Sequence, residues 1–178
     1  MKIIALALLI LLSLNMAFAK EIFEATIPDS LKCGDKTLTL QSAGLRTATI
    51  FNIRVYVVAI YGSSKGTTER PLCFEITYLR DVDNQDADKA WAFQFKESSE
   101  HLYPELQDHI KKLQDSFGDI QGERKHLFAL LPGETQLSEN GIFKGKIPGD
   151  DFQKNFLTIW FGKKPPTKEV QTQLLKGI

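Results

Sequence analysis

The sequence is poor in the residues on which most site chemistry is built. Two cysteines and three histidines occur in 178 residues, scattered as Cys33, Cys73, His101, His109 and His126. That is not the clustered set of nitrogen and sulfur ligands a zinc site needs. No G-x-S-x-G, P-loop, H-E-x-x-H or G-x-G-x-x-G segment is present, so none of the chemistries tied to those motifs is expected. Charge of either sign is not in excess: 22 basic and 22 acidic residues give a formal net charge of +0. Such a chain has no electrostatic footprint for nucleic acid or for an anionic membrane. After the N-terminal region no segment approaches the ~18 consecutive apolar residues of a spanning helix, so stable membrane insertion is not expected. Internal repeats, low-complexity tracts and linkers are also missing, which argues for one domain. No cofactor is implied, no metal site, and no catalytic residue by motif.

What is there begins with "MKIIALALLILLSLNMAFAKEIF". Lys2 supplies a positive start, Ile3 to Met16 an apolar run, and "AFA" at 17–19 a small-x-small cleavage signal. This is the pattern of a secretory signal peptide over residues 1–19, removed after Ala19 to leave a domain at 20–178 in the periplasm or secreted. In an oxidising compartment Cys33 and Cys73 can form one disulfide, or remain as buried thiols that pack as small hydrophobes. Spacing alone does not choose between them.

Hydrophobic periodicity predicts strands at 22–28, in "KTLTLQSAG", in "TIFNIRVYVVAIYG" and in "LCFEITYLRDV", with alternate residues on opposite faces. In the third of these, Arg54 and Tyr56 fall on one face, Val55 and Val57 on the other. Two helices follow, in "DADKAWAFQFKESS" and "HLYPELQDHIKKLQDSFG", with Pro104 in the first turn of the second. Strands return in "RKHLFALLP" and in "ETQLSENGIFKGKIPG", whose Asn-Gly signals a hairpin. Helices close the chain at "GDDFQKNFLTIWFG", with acids at its start, and at "KEVQTQLLKG" behind Thr167. Strands, helices, a hairpin and two helices make an α+β domain with helices packed on an antiparallel sheet. Each histidine reads as a surface or hydrogen-bonded side chain rather than a catalyst, since no nucleophile or ligand pattern accompanies it. Trp91 and Trp160 read as core.

Arg46, taken alone, reads first as a strand-end cation that reaches solvent or pairs with an internal acid. Arg46 stands in an otherwise apolar strand segment, where a cation needs a partner to offset its desolvation. An internal acid or solvent at a strand end could serve; so could an anionic ligand.

The segment "LTLQSAGLRTATIFNIRVYVVAIYG" resembles the "L-x-L-x-G-x-G-x-R … K-V-Y-x-A-x-x-Y" block of the chalcone isomerase-like family, especially its secreted bacterial members. "YLRDVD", "ENGIFKGKIPGDDF" and "FLTIWFGKKPPTKEVQTQLLKG" are similar to later family segments in the same order, so the resemblance runs from about Pro28 to Gly177. It implies an open-faced β-sandwich, a large antiparallel sheet covered on one side by helices with a ligand cleft between. The family includes chalcone-cyclising enzymes and fatty-acid-binding proteins. In both, the "G-x-R" arginine meets an anionic group, and here it maps to Arg46. The "K-V-Y" tyrosine of the lipid binders maps to Tyr56, with Arg54 at the lysine position. Ser42 replaces the first glycine, leaving Gly44, and Tyr56 stands where the cyclising enzymes carry a catalytic threonine. No counterpart of their water-holding tyrosine is found in "DVDNQDADKAWAF", so chalcone cyclisation is not expected.

The resulting expectation is a binder of a fatty acid or similar small amphipathic carboxylate, held by Arg46 and Tyr56. Phe51, Val55, Val57, Val58, Trp91, Phe93 and Phe95 would enclose the tail. Two alternatives stand beside it: an isomerase or intramolecular lyase using Arg46 to stabilise an oxyanion, and a structural or partner-binding envelope protein. On one straight strand Arg46 and Tyr56 would lie ten rises of ~3.3 Å apart, so they can share a ligand only if the chain folds back between Thr47 and Asn52.

Overall fold

The computed structural model describes residues 19–66, 68–99 and 103–176. The expected signal peptide, apart from Ala19, lies outside them, as does His101. A two-stranded sheet, β1 (Ala19–Ile22) and β2 (Ala25–Pro28), precedes a seven-stranded antiparallel sheet. Its strands pair in chain order: β3 (Ser30–Cys33), β4 (Lys36–Ala48), β5 (Ile53–Gly62), β6 (Leu72–Tyr78), β7 (Lys125–Leu131), β8 (Glu134–Glu139) and β9 (Ile142–Pro148). Helices α1 (Asn84–Ser98) and α2 (Gln107–Ser116) fill the connection from β6 to β7, and α3 (Asp150–Phe161) and α4 (Lys168–Leu175) follow β9. All four pack on one side of the curled sheet, giving the expected α+β, open-faced sandwich.

Both faces of the central strands are buried, in two separate cores. Even-numbered residues of β5 and β6, such as Val58, Ile60, Phe74 and Ile76, meet the helices through Phe95, Phe152, Phe156 and Trp160. Odd-numbered Val57, Ala59, Tyr61 and Cys73 face the β1–β2 hairpin through Ala25 and Ile27. Cys33 and Cys73 are joined in this second core, with Cα atoms 6.0 Å apart. Two strands lie between β3 and β6, and three strand spacings in a flat sheet would be about 14 Å. The sheet therefore curls until the β3–β4 hairpin closes over the face that holds Cys73. A bulge at Gln41, the residue skipped between the Leu40–Tyr61 and Ser42–Ile60 pairs, makes the corner. The Gln41 amide holds it by donating to the Thr39 and Gly62 carbonyls.

Helix boundaries follow their caps. Asp83 accepts from the Gln85 N–H at 2.8 Å and starts α1; Thr167 accepts from the Val170 N–H and starts α4. Asp150 and Asp151 occupy the first turn of α3, as the sequence predicts, and Gly162 caps its end. The Asn140–Gly141 turn has positive φ at both residues, the primed geometry of a tight hairpin.

Two expectations shift. The segment from 49 to 62 is not one strand: Thr49 to Asn52 form a turn, and β5 starts at Ile53. Helix α2 starts at Gln107, so Pro104 lies in the turn before it rather than in its first helical turn.

Candidate ligand-binding site

Between the sheet and the helices runs a cleft of about 500 Å³. Its floor is Arg46 and Ala48 of β4, Val55 and Tyr56 of β5, and Tyr78 of β6. The facing wall is α1, through Ala87, Ala90, Trp91 and Phe93, with Ile159 and Trp160 of α3 behind. The 164–166 segment closes one side. It is tied to α1 by the Gln94 amide donating to the Lys164 carbonyl at 2.8 Å and by the Lys164–Glu97 ion pair at 2.9 Å.

Arg46 and Tyr56 come together here. The chain does fold back between them, and they are directly opposed partners of the β4–β5 ladder, which places their Cβ atoms roughly 5 Å apart. No glycine makes the turn; Thr49 and Asn52 adopt φ of 64° and 51° instead. Asparagine tolerates that region better than most residues, and the Phe51 N–H donates to Thr49 Oγ1 to hold the turn.

Bulges aim both side chains. Unbroken alternation from Leu38 and Leu40, which face the disulfide core, would turn Arg46 the same way. The extra residue at Gln41 reverses the parity, so Ala43 and Leu45 take that face and Gly44 and Arg46 take the helix side. On β5 the skipped residue is Val55. Val55 and Tyr56 consequently both line the cleft, and Arg54 is not on the side of Tyr56, where alternation places it. Arg54 pairs with Glu24 at 2.5 Å, on the β1–β2 hairpin. Redirecting a side chain is a common use of such bulges.

Gly44 explains its own place two residues before Arg46. A Cβ there would stand 2.8 Å from Val170 Cγ2 and 3.0 Å from the Val170 carbonyl, so α4 lies directly on the backbone of β4. Gln173 Oε1 then accepts from the Leu45 N–H at 2.7 Å. The helix and the strand that carries Arg46 are thus fixed to each other.

The electrostatics are one-sided. Arg46 is half-buried, and among the described residues its guanidinium has neither a hydrogen-bond nor an ion-pair partner. Burial pushes the Tyr56 phenol well above its ordinary pKa, with the Arg46 charge opposing. Tyr78 is raised likewise, by burial and then by Tyr56. Both phenols are therefore protonated donors at neutral pH. The Tyr56 ring lies edge-on to Tyr78 and to Trp160, with centroids 5.9 Å and 6.0 Å away. The buried Trp160 Nε1 has no hydrogen-bond partner among the described residues. A cation and several donors stand at the floor, and the remaining walls are largely apolar.

Of the residues expected around a tail, Val55, Trp91 and Phe93 line the cleft. Val58 and Phe95 are buried in the core beside it, Val57 lies on the opposite face, and Phe51 is exposed in the turn. Tyr78 and Trp160 were not legible as site residues, since an aromatic in a strand or on an apolar helix face reads as core. His126 is neither exposed nor well hydrogen-bonded. It is buried and stacked on Phe117, with ring centroids 3.8 Å apart and Nε2 3.5 Å from Glu139 Oε1. Among the described residues no three His, Cys, Asp or Glu side chains are grouped to hold a metal ion.

The family model described as chalcone isomerase-like matches residues 19–176. The chain belongs to the chalcone isomerase-like family. Among solved structures of this fold, the Arabidopsis thaliana fatty-acid binding protein superposes with a TM-score of 0.67. That match covers 89% of this chain and 96% of the other, at 13% sequence identity. No curated protein sequence matches the chain. The Gly44–Leu45–Arg46 segment lies under α4 and delivers Arg46 to the cleft floor, and Val55–Tyr56 is at the bulged start of β5.

Proposed function

We propose that this chalcone isomerase-like protein binds a fatty acid or a similar amphipathic carboxylate, and does not cyclise chalcones. The observation that carries the reading is Arg46, a half-buried cation without a partner among the described residues, at the floor of a largely apolar cleft. A guanidinium can grip a carboxylate through two parallel N–H bonds, and a protonated Tyr56 opposite it can donate a third. The fold shared with the Arabidopsis fatty-acid binding protein supports a lipid ligand. A volume of about 500 Å³ accepts on the order of fifteen heavy atoms at the ~30 Å³ each that water occupies.

Export after removal of residues 1–19 is part of the same proposal, motivated by the "AFA" site. Intact mass of the chain from the producing cell's envelope fraction tests it; a species retaining residues 1–19 would refute it. For the ligand, organic extraction of the purified protein and mass spectrometry should yield a long-chain carboxylate in near-stoichiometric amount. Titration with a long-chain fatty acid should show saturable binding, and chalcone should turn over no faster than it does spontaneously. No fatty-acid binding, or chalcone turnover abolished by Arg46→Ala, overturns the reading.

A further inference from the structure

Six of the seven large apolar side chains exposed among the described residues gather at one end of the sheet or at the cleft. Ile50 and Phe51 are 89% and 80% exposed at the tip of the β4–β5 turn, with Ile53 just below. Ala48 and Val55, on the two strands that flank this turn, already line the cleft. Phe93, 63% exposed, presents the opposite wall of the same cleft to water. The strand pairings put the β8–β9 turn at the same end, because Tyr78 pairs Tyr56, Lys125 pairs Thr77 and Glu139 pairs His126. Ile142 and Phe143, both exposed, start β9 there. Single exposed apolar residues need no explanation, but a gathering of this kind marks a contact surface.

Charges near these turns are largely paired. Arg54 meets Glu24, and Arg124 and Lys144 share Glu139. A surface of exposed apolar tips above largely paired charge, with one cation in excess, is suited to the boundary between lipid headgroups and acyl chains, where binding grows with buried apolar area. The cleft that takes an amphipathic ligand opens beside it.

We propose that this end of the molecule docks on a phospholipid bilayer, with Ile50 and Phe51 inserted, so that the cleft receives its ligand from the membrane rather than from water. The docking role of the cleft rests on the ligand reading above; insertion of the tip does not. Apolar contact drives the docking, so zwitterionic lipid suffices and added salt leaves it unchanged.

The test places a polarity-sensitive fluorophore on the full chain. Cys33 and Cys73 are joined, so Phe51→Cys supplies a free thiol for labelling at the tip. Ser64→Cys, exposed in the β5–β6 loop at the far end of the sheet, is the control. With phosphatidylcholine vesicles carrying brominated acyl chains, the label at 51 should shift to the blue and be quenched. The label at 64 should stay in water. Because the readout is local, an apolar N-terminal run that tethers the chain does not imitate it. Adding Ile50→Asn should lower the quenched fraction at limiting lipid about ten-fold, the transfer value of one aliphatic side chain. Equal emission from both labels on vesicles overturns the proposal. So does a shift at 51 that grows with protein concentration without lipid, since a second copy would then be covering the tip. Fatty-acid titration in vesicle-free buffer is read separately: if it fails while the tip inserts, the ligand reading falls and the docking surface stands.

Discussion

Replacing Arg46 should weaken the ligand and leave the empty fold unaltered. With a carboxylate bound, a charged hydrogen-bonding group contributes about 1.5–3 kcal/mol, so Arg46→Ala should weaken a long-chain fatty acid by roughly ten- to 150-fold. Arg46→Lys should recover part of this, because an ammonium keeps the charge but cannot form the planar fork. Without ligand the same guanidinium has no partner among the described residues, so its removal strands no buried group. Stability of the empty protein should then stay within about 0.5 kcal/mol of wild type, as for substitutions that break no buried contact. The tail makes an independent contribution of ~0.8 kcal/mol per buried CH₂. In wild type and variant alike, affinity should therefore rise with chain length until the cleft is full. Titration calorimetry over a series of saturated fatty acids, paired with urea unfolding of each ligand-free protein, reads both quantities. Equal affinity in wild type and Arg46→Ala refutes the argument. A loss of several kcal/mol of stability in the empty variant refutes it too, since Arg46 would then be holding the fold.

Three further predictions concern the scaffold. Gly44→Ala should lower the urea midpoint by an amount equivalent to about 1–3 kcal/mol, the usual cost of overpacking, because its Cβ meets Val170 and Leu174 at 2.8 to 3.2 Å; an unchanged midpoint would show that α4 is free to move. Replacing both cysteines by alanine should cost up to about 4 kcal/mol, the loop-entropy value for a bridge across 40 residues, measured as a fall in the same midpoint. Burial lowers the His126 pKa from 6.5 to about 4, Glu139 opposing and Arg124 and Lys144 assisting. The unfolded chain then binds the proton first, so stability should fall as pH drops from 6.5 towards 4, by up to about 3 kcal/mol. For Glu139, burial raises the pKa but hydrogen bonds from Lys144 and Arg124 outweigh it, so its own loss begins at lower pH. Unfolding of His126→Phe between pH 7 and 5 should show a flatter slope than wild type; an unaltered slope assigns the effect elsewhere.

Much of this architecture is legible in the chain, and the failures have physical causes. The strands around Val57 to Tyr61 and Leu72 to Tyr78 announce themselves by β-branched and aromatic content, and α3 by its leading acids and closing Gly162. Arg46 is conspicuous because a cation among apolar neighbours demands an explanation. The bulges at Gln41 and Val55 were not visible, although Leu38, Leu40, Ala43 and Leu45 carry the trace of one in their spacing of two, three and two. One inserted residue reverses every side chain beyond it, which is why alternation puts Arg54 on the wrong face. The turn at Thr49 to Asn52 enters the sequence reading only as a condition for Arg46 and Tyr56 to meet, because no glycine marks it. The tight hairpin at Asn140 is legible because Gly141 follows it. Whether Cys33 reaches Cys73 depends on how far the sheet curls, a property of seven strands together rather than of either segment.

That covalent link has a mechanical consequence. Arg46 and Tyr56 both lie within the loop it closes, along with the whole of β4 and β5. A force applied at the two ends of the chain is carried through the sulfur atoms and bypasses everything between them. Stretching the oxidised protein therefore leaves hidden about 140 Å of contour, at roughly 3.5 Å per residue. Reduction should add that length to the final extension. The helices can be peeled away while Arg46 and Tyr56 stay within a closed ring, so the part of the cleft floor on β4 and β5 is tethered more tightly than its roof.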